Sequence, residues 1–137
     1  MIGGAIAEYL KADASIAAIV NDRVFLKVLP QKVPLPAISY FSISTVPIST
    51  HRGTTTLYKS LFQFDIWTEA FNGGYSSGRD LALKVESRLN EANETKVIDT
   101  ESVSAVHILE SGVDMYDPEV DENRVMLEAR IWHTVIK

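Results

Sequence analysis

The C-terminal segment of the chain, residues 124–135, has the most regular polarity pattern of the sequence. Apolar residues occupy alternate positions, namely Val125, Leu127, Ala129, Ile131 and Val135. Polar residues lie between them, namely Arg124, Glu128, Arg130 and Thr134. This period of two is typical of a β-strand with one buried face. The acidic segment before it, residues 114–123, predicts a turn, so the chain ends by adding a strand to a sheet.

Length and composition favour a globular protein with one domain, residues 1–137. The chain has 137 residues, 46% of them hydrophobic, and a net charge of −5. Its 13 basic residues are spread along the sequence, so we expect no direct binding of nucleic acid. No apolar run is long enough to cross a bilayer, and we expect no membrane association. The absence of cysteine excludes disulfides and thiolate metal sites and is compatible with a reducing cytoplasm.

The order of predicted elements indicates the fold class. Apolar spacing predicts a helix over residues 2–12 and a short second helix capped by Asp13 or Ser15. A main helix over residues 77–92 is predicted to begin with a Ser-x-x-Asp capping box. Strands are predicted at residues 24–26, 37–45, 57–67, 97–98, 103–110 and 124–135. Because strands group around one late helix, we expect an α+β fold, with a mostly antiparallel sheet packed by one main helix plus an N-terminal helical segment.

The segment between the second and third strands, residues 46–56, is a candidate contact region. It is polar and threonine-rich, and it is longer than the roughly 2 to 5 residues of usual hairpin loops. Two structures fit this pattern. Either the flanking strands continue as a protruding hairpin, or the segment stays mobile until a partner orders it. Its candidate interaction residues are His51, Arg52, Thr54 and Thr55.

One hydrolase motif occurs. Gly74-Tyr-Ser-Ser-Gly78 fits Gly-x-Ser-x-Gly, and acidic residues and histidines follow it in the order that a nucleophile-elbow enzyme needs. Such a serine lies on a sharp turn between a strand and a helix, whereas Ser76 lies well past the preceding strand in a segment of small residues. We therefore interpret Ser76 as part of a turn. A small serine- or metal-dependent hydrolase that uses Ser76, His107, His133 and the acidic turn is the alternative.

The remaining candidates for chemistry favour structural interpretations. His51 is interpreted as an exposed loop residue, and His107 and His133 as hydrogen-bonded, partly buried strand residues. The acidic segment lacks the Asp-x-Asp-x-Asp-Gly spacing of a calcium loop. It is interpreted as a solvated turn or an interaction surface. Glycine-rich phosphate-binding motifs are absent, so we expect neither a metal nor a cofactor.

The polar face of the last strand has two interpretations. Arg124, Glu128 and Arg130 share this face, and mixed charge there is typical either of solvent exposure or of salt bridges between subunits. Trp67 and Trp132 lie on the less apolar faces of their strands. We interpret the tryptophans as core residues of a sheet buried on both sides, with interface anchors as the alternative.

Several segments of the chain together resemble one protein family. In order, they are Lys11-Ala-Asp13, Asn21-Asp-Arg-Val-Phe25, Leu29-Pro-Gln31, Pro36-Ala-Ile-Ser-Tyr40, Phe62-Gln-Phe-Asp-Ile-Trp67, Tyr116-Asp-Pro118 and Arg130-Ile-Trp132. Their order and spacing resemble the tail-completion proteins of long-tailed phages and prophages, also called tail terminators or tail-to-head joining proteins. The resemblance covers nearly the whole chain.

The resemblance implies a structural role without enzyme activity. It implies an α+β subunit that forms a homo-oligomeric ring, usually a hexamer. The implied partners are the tail tube protein, which the ring caps, and the head connector protein, to which the ring docks. The implied location is the head–tail junction of the virion, after assembly in the host cytoplasm. A stopper component of the head–tail connector is the alternative within the same structural class.

Overall fold

The computed structural model describes residues 2–50, 53–69, 74–93, 96–98, 101–118 and 122–135. A 3-10 turn at Ile2–Gly4 precedes helices α1 (Ile6–Lys11) and α2 (Ala14–Val20). Strands β1 (Val24–Leu26), β2 (Ala37–Thr50) and β3 (Gly53–Glu69) follow. The chain continues with helix α3 (Gly74–Glu91) and strands β4 (Lys96–Ile98), β5 (Glu101–Asp117) and β6 (Glu122–Val135). The predicted order of helices and strands is confirmed.

The strands form one mixed sheet in the order β1-β2-β3-β6-β5-β4. β1 pairs with β2 in parallel, and the other neighbouring strands pair antiparallel. The last strand of the chain therefore lies in the interior of the sheet, between β3 and β5. The predicted α+β class with a mostly antiparallel sheet is confirmed.

The buried face of the sheet is formed by the alternation that the sequence shows. Phe62, Phe64 and Ile66 of β3 lie opposite Ala129, Leu127 and Val125 of β6. These six side chains belong to the buried core, together with Leu81, Val85 and Leu89 of α3. We call the face that carries these core side chains the helix-covered face. Since successive side chains of a strand point to opposite faces, the residues between them form the other face of the sheet, which we call the open face.

Tyr40 connects the N-terminal segment to the helix-covered face. Its hydroxyl donates to the Gly3 carbonyl oxygen at 2.7 Å and accepts from the Ala7 N–H at 3.0 Å. Ile2, Ile6, Tyr9 and Leu10 are all buried, as predicted for the first helix. Asp13 caps α2, because its Oδ1 accepts from the Ser15 N–H at 2.9 Å. The hydrogen bond from the Ser15 hydroxyl lowers the pKa of Asp13.

Two predicted boundaries are wrong. Helix α3 begins at Gly74, so Ser77 and Asp80 lie within the helix and do not form its capping box. Gly78 in the first part of α3 packs closely on the sheet, because a Cβ there would lie 3.2 Å from Val125 Cγ2, and tertiary packing stabilises helical residues beyond those that local signals predict. The predicted acidic turn is also too long. Strand pairing continues through Asp117 on β5 and resumes at Glu122 on β6, and Glu119 and Asp121 lie outside the described residues.

Candidate functional site

The candidate contact segment continues the second and third strands as a hairpin. Pairing between β3 and β6 ends at Leu57 and Thr134, whereas β2 and β3 pair as far as Thr50 and Gly53. We call residues 46–50 and 53–56 the arm. The protruding-hairpin alternative is therefore confirmed.

Of the predicted interaction residues of this segment, the structure describes the backbone of two. His51 and Arg52 fall outside the described residues. Thr54 and Thr55 belong to β3, while their side chains lie outside what the structure describes. The described side chains of the arm are uncharged, and most of them are exposed to solvent, including Val46, Pro47 and Thr56.

Four polar side chains form a hydrogen-bonded chain across the sheet at the base of the arm. The Thr45 hydroxyl lies 2.9 Å from Ser60 Oγ, and Ser60 Oγ lies 2.7 Å from Nε2 of His133. Nδ1 of His133 lies 2.5 Å from Oε1 of Glu101. Ser60, His133 and Glu101 are each at most 1% exposed. This polar chain connects β2, β3, β6 and β5 where the arm leaves the sheet.

The order serine, histidine and acid is also that of a hydrolase triad, in which a histidine contacts the nucleophile and an acid orients the histidine. A substrate atom would have to come within about 3 Å of the serine oxygen. Burial of Ser60 leaves no room for that approach. The arrangement instead provides hydrogen bonds to polar groups that are costly to bury without partners, and it favours a structural role.

The residues of the predicted hydrolase alternative do not meet. Ser76 is exposed and helical in α3, so its interpretation as a turn residue is wrong. Among the described residues, Ser76 forms no hydrogen bond with a histidine, and His133 contacts Ser60 instead. His107 lies opposite Arg130 on the open face, whereas His133 lies on the helix-covered face. The two histidines therefore cannot form a common site.

His107 differs from its predicted environment. It is exposed, and its ring centroid lies 4.7 Å from that of Trp132 in an edge-on arrangement. The prediction of a partly buried, hydrogen-bonded imidazole is therefore wrong for His107. For His133 the predicted hydrogen bonding is confirmed, although the side chain is fully buried.

Arg124 is the centre of a half-buried cluster on the open face. Its Nε lies 3.9 Å from Oδ1 of Asp65, and its guanidinium carbon lies 5.3 Å from the Trp67 ring centroid. Its Nη2 lies 2.6 Å from Sδ of Met115. The Trp67 indole N–H donates to Ser39 Oγ at 3.0 Å. Arginine, tryptophan and methionine together are typical of the centre of a protein interface.

Asp65 is the one acidic group in this cluster and is 5% exposed. Burial raises the pKa of the Asp65 carboxyl, while the Gln63 amide and the Arg124 guanidinium partly oppose the shift. The Gln63 Nε2 lies 3.1 Å from Asp65 Oδ1. The open face therefore holds a carboxylate whose charged form is disfavoured by its surroundings.

Glu128, Arg130 and Trp132 continue this face toward the arm. Glu128 lies opposite Gln63, and Arg130 lies opposite Leu61. All three are half-buried. The prediction that Arg124, Glu128 and Arg130 share a face is confirmed, and their role in subunit contacts stays a prediction.

The tryptophans do not belong to the buried core. Trp67 and Trp132 are half-buried on the open face, so their interpretation as core residues is wrong. Beside Trp132 lies a shallow, mostly apolar depression of about 290 Å³ lined by Leu57, Ser104, Ala105 and His107. The open face thus offers an apolar surface next to the base of the arm.

Asp114 of the predicted acidic segment contacts helix α3. Asp114 lies 2.8 Å from Nη2 of Arg79 on α3 and so forms an exposed ion pair. Within the described ranges, no three histidine or acidic side chains are placed to hold a metal ion. No helix in the described part of the chain is long and apolar enough to span a membrane.

Sequence reasoning missed Ser60, Glu101 and Asp65. The signal for Ser60 was present, because it occupies the same alternation as Phe62, Phe64 and Ile66. A polar residue at an apolar position predicts a buried hydrogen bond. Asp65 gave no such signal, since it lies at a polar position of its strand.

Comparisons with known proteins agree on one family and one fold. The sequence profile of the family described as "Tail completion protein gp17" matches residues 4–134. A chain of the solved structure described as "Virion of native gene transfer agent (GTA) particle" has a TM-score of 0.77 and 20% identity, covering 96% of this chain and 93% of its own. A second solved structure has a TM-score of 0.61 and 12% identity, covering 98% of this chain and 91% of its own. No curated protein sequence matches significantly.

Proposed function

This chain belongs to the tail completion protein gp17 family, and we propose on that premise that it forms a ring, usually a hexamer, that caps the tail tube and joins it to the head connector. Family membership makes it a structural protein of the phage tail. The observation that carries the proposal is the extent of the match, residues 4–134, which includes the arm, the open face and α3. Residues 1–137 then act as one tail-terminator domain without enzyme activity.

The structural neighbour supports a place in a virion. That neighbour is part of a gene transfer agent virion, a phage-like particle, and its fold covers nearly the whole of this chain. We assign this chain to the head–tail junction, where tube and connector meet, after assembly in the host cytoplasm. The partners are further copies of this chain, the tail tube protein and the head connector protein.

The arm is the part that we assign to contacts with a neighbouring ring. The arm extends beyond Leu57, where the pairing of β3 with β6 ends, and its described side chains are mostly exposed. A hairpin that protrudes from a rigid sheet reaches a partner without loss of the core. His51, Arg52, Thr54 and Thr55 have hydrogen-bonding side chains, and we assign them to this contact.

The row Arg124, Glu128 and Arg130 is the second contact surface that we assign. Both signs of charge occur along it, and Trp132 and the adjoining apolar depression flank it. Opposite charges on two partners orient an encounter, and buried aromatic side chains hold the resulting complex.

Electron microscopy of tail tubes mixed with the purified protein tests the assignment. We expect one added ring at the connector-proximal end of each tube, and joining to heads only when that ring is present. Binding to isolated head connectors without binding to tubes would contradict the terminator assignment in favour of a stopper component.

A matched pair of variants tests the arm. His51→Ser/Arg52→Ser is expected to reduce joining to heads or tubes while leaving the ring intact. Lys32→Ser is the control, because Lys32 is an exposed cation in the loop before β2. Equal joining by both variants would contradict the role assigned to the arm.

A further inference from the structure

Two strands have outer edges that other described strands cover only in part. β1 pairs with β2 at residues 38–40, and β4 pairs with β5 at residues 101–103. Within the described chain, no strand pairs with the outer edge of β2 over residues 41–47 or with that of β5 over residues 104–115. An uncovered strand edge is a template for pairing with another chain.

The uncovered part of β2 is exposed and carries no charge. Residues 42–47 are all exposed, and Ile43 and Val46 each have 46% of their surface accessible. Charged side chains are a common protection of edge strands, and residues 41–50 contain none. On β5, residues 104–109 likewise contain no Asp, Glu, Lys or Arg. Residues 41–50 and 104–109 therefore carry no charge that would repel a strand.

Each edge has one regular segment between two irregularities. Register shifts in β2 lie between Ser42 and Ser44 and between Pro47 and Ser49. Register shifts in β5 lie between Val103 and Ala105 and between Ile108 and Glu110. Because a bulge interrupts the ladder, the regular segments are residues 44–47 and residues 105–108.

The two segments lie at the same level of the sheet. Pairing across the four central strands forms continuous rows, of which two are Ser44-Leu61-Arg130-His107 and Val46-Lys59-Trp132-Ala105. Three successive antiparallel pairings separate β2 from β5, so the two strands run in opposite directions. A second copy rotated about an axis parallel to the strands would therefore place its β5 beside β2 in antiparallel orientation, without any shift along that axis. Repeating a rotation without such a shift closes a ring, whereas a rotation combined with a shift builds an open helix.

Asn93 occupies one position of the β5 edge in the isolated subunit. The Val106 N–H donates to Asn93 Oδ1 at 3.3 Å, a long bond from an exposed side chain. The bond places the Val106 N–H on the outer side of the strand. A carbonyl oxygen of an added strand would replace this acceptor without loss of a buried contact.

Resting on the ring proposed above, we infer that neighbouring subunits join by β-strand addition. Residues 44–46 of one subunit pair antiparallel with residues 105–107 of the next, and the sheets form one continuous wall around the ring. In this register Ser44 lies opposite His107 of the neighbouring subunit. The contact uses two different surfaces, as a head-to-tail ring requires.

Disulfide trapping tests this contact, because the chain has no cysteine of its own. Residues that face each other without mutual backbone hydrogen bonds in an antiparallel pair have Cα atoms about 4.5 Å apart, which a disulfide spans. We expect Ser44→Cys/His107→Cys, bound to tail tubes and then oxidised, to give a covalent ladder that ends at the ring mass. The control Leu83→Cys/His107→Cys should give none, because Leu83 is exposed on α3.

The outcomes separate this inference from the ring proposal. A ring of normal mass without the covalent ladder would overturn strand addition and leave the ring standing. Covalent dimers from Ser44→Cys alone would overturn the head-to-tail arrangement in favour of a two-fold contact. Absence of any ring for the wild-type protein would overturn both proposals.

Discussion

Nδ1 of His133 lies 2.5 Å from Oε1 of Glu101, and both side chains are at most 1% exposed. The imidazole and the carboxyl group join the two C-terminal long strands at the base of the arm. Neither group has access to water that could replace the other, so each depends on its partner. This buried contact thus contributes to the stability of the arm's base.

Glu101→Leu is therefore expected to destabilise the fold by about 1 to 3 kcal/mol, because it leaves Nδ1 of the buried His133 without its hydrogen bond. Urea unfolding measures the effect. The matched control is Glu110→Leu at an exposed position of the same strand, with an expected change within about 0.5 kcal/mol. Equal urea midpoints for both variants would contradict the structural role of the polar chain.

Asp65→Asn is expected to raise the free energy of unfolding at neutral pH. Burial raises the pKa of Asp65 above its ordinary value of 3.8, so this carboxyl favours the fold in its protonated form. Its favourable contribution is complete below pH 3.8 and is lost as pH rises through the folded-state pKa. The gain from Asn should therefore shrink on acidification. Exposed Asp22→Asn is the control, and an equal pH dependence in both variants would refute the assignment.

Gly112→Ala is expected to destabilise the protein by about 1 to 3 kcal/mol through backbone strain. Gly112 has φ +153°, and a Cβ there would contact the Arg79 guanidinium and lie 3.2 Å from Val125 Cγ1. Gly4→Ala is the matched control, since a Cβ at Gly4 would meet nothing within 4 Å. Thermal or urea unfolding distinguishes the two variants, and equal losses would argue against a special backbone at Gly112.

Tyr40→Phe is expected to cost about 1 to 3 kcal/mol, because it removes a buried hydroxyl that bonds both the Gly3 carbonyl and the Ala7 N–H. The loss should be largest at the N-terminal segment. Hydrogen exchange should therefore quicken at the Ala7 amide more than in β6. Unchanged exchange at Ala7 would show that this hydroxyl does not fasten the segment.

The strands were predictable because their side chains alternate over long stretches. β3 and β6 carry apolar residues at every second position from Phe62 to Ile66 and from Val125 to Ile131, and this pattern requires one buried face. The order of elements followed from the same signals. The arm's flanks were less certain, since threonine and serine are compatible with both strand and loop.

The start of α3 and the length of β5 could not be predicted from local signals. Gly78 near the start of α3 lies close to Val125, a contact between distant parts of the sequence. Asp114 lies in β5 and pairs with Val125 of β6. Both contacts are tertiary, whereas capping and turn patterns describe only neighbouring residues.

The candidate site was predictable only in part. The shared face of Arg124, Glu128 and Arg130 follows from alternation alone. The contact of His133 with Ser60 and Glu101 depends on the pairing of β3, β6 and β5, which a single sequence does not specify. The half-burial of Trp67 and Trp132 depends on which face the helices cover, and that also is a property of the whole fold.

The most direct test of the central assignment is the solution mass of the purified protein by light scattering, with and without purified tail tubes. The account predicts a ring-sized species close to a hexamer of the 15.2 kDa subunit, either at once or when a monomer meets tubes. A monomer whose mass and sedimentation are unaffected by tubes would contradict the assignment.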